Sequence, residues 1–168
     1  MKSVFCALVF CVLLLMAATG TVGFWVEQPR HTFFRLHFAM GLVTVLLTCL
    51  TQVITFTYFV VSGKLIMRAA VAHSVDAGVV PEAQRLKART LHVAAPAIGA
   101  VILLAALGGY ADGDPSAATL HLAAFLLAVP VNGVAFAVQY VLIGRNGRLL
   151  QAALDQYSDG RLHHPTNP

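Results

Sequence analysis

Charge is what this sequence has least of. Lys, Arg, Asp and Glu together make up 11% of its 168 residues, against about 25% in an ordinary soluble domain. No charged residue lies between Lys2 and Glu27, Arg35 and Lys64, Arg89 and Asp112, or Asp114 and Arg145. Gaps of that length exclude a water-soluble fold with a charged surface. They also leave no carboxylate inside the apolar runs, which counts against an ion-coupled transporter or proton pump built on buried acids.

Cysteine is scarce too. Cys6, Cys11 and Cys49 form no pair with metal-ligand spacing, and an odd number inside apolar runs is not a disulfide framework. They read as small hydrophobic filler. There is no H-E-x-x-H, no phosphate-binding glycine loop and no nucleophile motif with a base beside it, so no enzyme class is assigned. No low-complexity linker marks a second domain, and no internal repeat is apparent.

What fills the chain instead is hydrophobic, at 58% of residues. Four apolar runs, at about 4–25, 34–62, 91–110 and 117–143, each have the roughly 20 residues a helix needs to cross a bilayer. The fold expected is all-α: an integral membrane four-helix bundle over 1–144, with a loop at 63–90. A tail at 145–168 is expected to be amphipathic on the inner surface and then disordered.

The net charge of +4 needs no nucleic acid to explain it. Nine of eleven basic residues fall on one side of the four spans: Lys2, Lys64, Arg68, Arg85, Lys87, Arg89, Arg145, Arg148 and Arg161. Only Arg30 and Arg35 fall on the other. The positive-inside rule then puts both termini in the cytoplasm. Trp25 and Tyr110 suit the outer interfacial belt. The first span, with its basic start and small residues near Gly20, also has the form of a cleavable signal peptide, and the reading adopted is an uncleaved span.

Helix punctuation follows the same boundaries. Pro29 suits the start of span two, Pro81 and Glu82 the first turn of span three, and Asp114 with Pro115 the cap and first residue of span four. Pro96 removes the backbone bond to the carbonyl of His92 and is expected to kink span three.

Span two is not apolar all round. At 100° per residue, His37, Gly41, Thr44, Thr48, Thr51, Thr55 and Ser62 fall within about 40° of one line, with Gln52 beside it. Span four carries a matching seam of His121, Phe125, Ala128, Asn132 and Gln139. Thr, Asn and Gln in such a seam serve as packing and interhelical glue. The histidines are sharper. His37 and His121 each lie about two turns into a span that runs from outside to inside. They should therefore sit at one depth on facing helices, as the two axial ligands of a b-type haem. Gly41, one turn below His37, would leave room for the edge of a flat ring. His92 is a weaker candidate near the inner surface. His31, His163 and His164 read as solvated.

Segment 33–64, with its outer histidine and its TYFVVSGK exit, resembles small four-span bacterial membrane proteins in which an aromatic pair precedes a small-Gly-Lys turn. The resemblance implies the topology and a bacterial cytoplasmic membrane, and no activity. Three readings of function stand: a haem-binding electron-transfer subunit or another redox or quinone site; a cofactor-free scaffold or accessory subunit whose seams grip a membrane partner or a second copy; and, with least basis, a transporter.

Overall fold

The computed structural model describes residues 1–26, 32–72, 78–111 and 115–163. They form four helices: α1 (Lys2–Gly23), α2 (Thr32–Ala72), α3 (Val79–Ala111) and α4 (Pro115–His163). Among the described residues there is no strand. Each helix is long and apolar enough to cross a membrane. The expected all-α architecture is therefore observed. Expectations resting on Pro29, Arg30, His31, Asp112, Asp114 and His164 lie outside the described residues.

Local chemistry sets the boundaries. Pro115 opens α4, where a missing N–H costs nothing. Glu82 lies in the first turn of α3, at the positive end of the helix dipole. Pro96 and Pro130 sit inside α3 and α4, and neither divides its helix. What each proline does is free one carbonyl, that of His92 and that of Leu126 respectively, from its helical donor.

The bundle is polar within and apolar without. Thr44, Thr48, Thr51, Gln52, Thr55, Ser62, Thr90, Asn132, Gln139 and Asn146 are buried, while Phe10, Leu46, Leu103, Leu126, Val134 and many like them face outward. In water that arrangement would be unfavourable. In lipid it is the expected one, because only the interior offers hydrogen-bond partners. The threonines of α2 need little from their neighbours. The hydroxyls of Thr44, Thr48, Thr51, Thr55 and Ser62 donate to carbonyls one turn back, at 2.7–2.8 Å.

The structure also contains a repeat that the sequence hides. Phe5, Val12 and Met16, the buried residues of α1, stand 85 residues before Thr90, Ala97 and Val101, all buried in α3. Buried Thr44, Thr48, Thr51, Gln52, Thr55, Phe59, Ser62 and Ala69 of α2 stand 84 residues before buried Ala128, Asn132, Ala135, Phe136, Gln139, Ile143, Asn146 and Ala153 of α4. The exceptions are Ile66, which pairs with half-buried Leu150, and, from the α4 side, buried Leu142 and Ala117, which pair with half-buried Tyr58 and exposed Phe33. The molecule is thus two helical hairpins, α1–α2 and α3–α4, with one burial register. Two hairpins of the same sense leave α2 and α4 in contact across the centre, while α1 and α3 do not touch.

The helices differ in length. At about 1.5 Å per residue, the 22 residues of α1 just span a hydrocarbon core of about 30 Å, while the 49 of α4 more than double it. The start of α1 is fixed by Lys2, whose ammonium lies 4.8 Å from the ring centroid of Tyr140. Four helices therefore pack level with 121–144 of α4, and three continue beyond. Residues 145–163, expected to form a separate tail, prolong α4 without a break. Their apolar stripe finds a partner: Leu149, Leu150, Ala153 and Tyr157 close over Ile66, Ala69, Val79 and Ala83.

Candidate functional site

The open end of the bundle holds the two histidines. His37 enters from α2 and His121 from α4, with ring centroids 6.0 Å apart and ring planes at 88°. Each ring is half-buried. Each is also held by the other helix of its own hairpin: His37 Nδ1 lies 3.0 Å from the carbonyl of Thr19 on α1, and His121 Nδ1 lies 3.1 Å from the carbonyl of Leu104 on α3. A carbonyl only accepts, so Nδ1 carries the proton in both rings. Nε2 is then the unprotonated nitrogen, with its lone pair available. Metal-ligating histidines are commonly fixed in this way, with the second nitrogen donating to a backbone carbonyl.

Two glycines make the arrangement possible. A Cβ on Gly23 would come within 2.9 Å of His37 Cε1, and one on Gly108 within 2.8 Å of His121 Cε1. Each lies one turn beyond the carbonyl that holds the ring, so the Cε1–Nδ1 edge of the imidazole meets the helix where there is no side chain in the way. One turn below, Phe125 packs on Gly20, where a Cβ would stand 2.6 Å from the ring tip.

The other candidates fall in several places. Gly41 does not border the imidazoles; a Cβ there would meet only Thr19 Cγ2, at 3.8 Å. A methyl there would make an ordinary contact with α1, so the packing does not demand a glycine. Thr44 also faces α1, sharing a hydrogen bond with Thr19 at 3.1 Å, and Thr48 is spent on its own helix. Gln139 donates to Gln52 across the centre of the bundle. Asn132 donates to the carbonyls of Ala97 on α3 and Ala128 on α4, at 3.3 and 3.0 Å. His92 stands apart, exposed on α3, about three turns from Leu104, with Nδ1 2.7 Å from the carbonyl of Ala88.

Sequence reasoning missed Gly23, Gly108, the two holding carbonyls and the buried pair in which Asn146 donates to Ser62 at 2.6 Å. One signal was present. Leu36-His37 recurs as Leu120-His121, and Gly63-Lys64-Leu65 recurs as Gly147-Arg148-Leu149, both at the spacing of 84.

Among the described residues no group of three or more His, Cys, Asp or Glu comes together. A bare metal ion at this site would have two protein ligands, fewer than zinc or copper sites use. A haem would need only two ligands from the protein, and His37 and His121 would be the residues to hold it. No protein-family model, no curated protein and no solved structure matches the chain.

Proposed function

We propose that the protein is a small multi-pass subunit of a bacterial cytoplasmic membrane, both termini cytoplasmic, that binds a b-type haem through His37 and His121 and carries electrons. The observation behind this reading is the imidazole pair itself: two rings from different hairpins, each with Nδ1 fixed by a backbone carbonyl and Nε2 left to ligate. A haem would supply one-electron chemistry; His37 and His121 would hold it through Nε2, in a tautomer fixed by the carbonyls of Thr19 and Leu104. Phe125 packs on Gly20 one turn below the rings and would form the inner wall of the site.

The test is an absorption spectrum of the purified protein, as isolated and after haem addition. A Soret band that disappears in His37→Ala and in His121→Ala, and survives in His92→Ala, is the expected result. A wild-type protein with no band under either condition refutes the reading.

The alternative, a cofactor-free scaffold or accessory subunit, finds support in the broad apolar exterior. It must use that exterior, because the polar seams are buried within this chain. Wild-type behaviour of both histidine variants, together with a stoichiometric membrane partner on purification, would favour it.

A further inference from the structure

Outside the histidine pair, the chemistry concentrates on one face of α3. Arg85, Arg89, His92 and Pro96 lie within about 40° of one line on the helix. The first three border a hollow of about 540 Å³ closed on the far side by Val138 of α4. His92 and Val93 also border a second hollow, of about 480 Å³, which runs on between α3 and α4 past Pro96, Leu127, Pro130 and Val134. The two share His92 and Val93 and follow one another as a shallow, open groove between α3 and α4, cationic at one end and apolar along the rest. Its cationic end lies at the level where the bundle narrows to three helices.

The groove is chemically unfinished. Neither Arg85 nor Arg89 pairs with an Asp or Glu among the described residues, although Glu82 stands one turn away on the same helix. His92 uses Nδ1 on Ala88 and keeps Nε2. The first hairpin has nothing comparable: positions 85 residues before Arg89 and His92 are Val4 and Ala7.

We infer that this groove binds one anionic phospholipid of the cytoplasmic leaflet, the phosphate against Arg85 and Arg89 and an acyl chain along Pro96, Leu127 and Pro130. Basic pockets between helices on the cytoplasmic side take anionic headgroups, and bidentate guanidinium fits phosphate. The order of groups along the groove, two cations and then an apolar channel leading toward mid-bilayer, is the order of groups in a lipid. The inference rests on the membrane reading above and not on haem.

The experiment reconstitutes the full chain into nanodiscs of phosphatidylglycerol and phosphatidylcholine, exchanges it into mild detergent, and weighs the retained lipid by native mass spectrometry. One phosphatidylglycerol per chain, retained over phosphatidylcholine, is expected. Arg85→Gln/Arg89→Gln should lower its retention roughly thirtyfold, and Val131→Trp, which plugs the apolar channel, should lower it with both arginines in place. Lys64→Gln/Arg68→Gln removes the same charge from α2 and should leave retention unchanged. Equal retention in the Arg85/Arg89 variant, release by excess inorganic phosphate, or a quinone recovered in place of phospholipid each overturns the proposal. Alkaline carbonate extraction of the same membranes separates the failures: a chain that stays in the pellet but holds no lipid refutes the groove, and a chain that is extracted refutes the membrane reading beneath it.

Discussion

At three matched positions of the buried register the first hairpin carries a hydroxyl and the second an amide. Thr48, Thr55 and Ser62 of α2 correspond to Asn132, Gln139 and Asn146 of α4. A hydroxyl can be satisfied by its own helix, and those of α2 are. An amide has a donor and an acceptor end, too much for one turn of backbone, so it reaches outward. Asn132 reaches α3, Gln139 reaches Gln52, and Asn146 reaches Ser62. At these three positions α2 satisfies its own groups, while α4 ties its neighbours in place. The cost shows in the same residues. Gln52 Nε2, Asn132 Oδ1, Gln139 Oε1 and Asn146 Oδ1 are buried and have no partner in the protein.

Substitutions at matched positions test that contrast. The largest effects are expected where the hairpins are alike: Gly23→Ala and Gly108→Ala should each destabilise by about 1–3 kcal/mol, because the new methyl displaces an imidazole. Detergent unfolding measures both; a large difference between them would break the equivalence of the hairpins. Next, Gln139→Leu alone should cost about 1–2 kcal/mol by stranding Gln52. The double change Gln52→Leu/Gln139→Leu should recover most of that, and a double variant as unstable as the single one would show that the pair does more than satisfy itself. Asn146→Ala should cost about 0.6 kcal/mol, the average for a hydrogen bond between membrane helices, since Ser62 keeps its bond to Tyr58. Smallest of all, Thr55→Val should lie within about 0.5 kcal/mol of wild type. A loss at Thr55 as great as at Gln139 would erase the distinction between the two seams.

Much of this architecture could be read before any coordinates. Long uncharged runs set the helix count, Pro115 marked the start of α4, and a period of 3.6 found both seams. The placement of His37 and His121 at one level followed from counting turns. Other features were closed to such reading for physical reasons. Gly23 and Gly108 are small because a ring from the next helix rests on them, and nothing local to either glycine says so. The repeat conserves burial rather than residue type: Thr for Gln, Gln for Phe and Thr for Ala keep the register and erase the resemblance. The stripe at Leu149, Leu150 and Ala153 declared an apolar face, yet its partner, Ile66 with Ala69, comes from another helix and was not in view.

The unequal helix lengths carry one more consequence. Because α4 passes without interruption from His121 to His163, it is a single shaft with the imidazole near one end and a three-helix head at the other. Torque applied to that head is not absorbed by a hinge, since neither Pro130 nor any break divides the shaft. A partner that turned α4 alone within that head would therefore turn His121 against its rest on Gly108 of α3, while His37, on α2, stayed where it was.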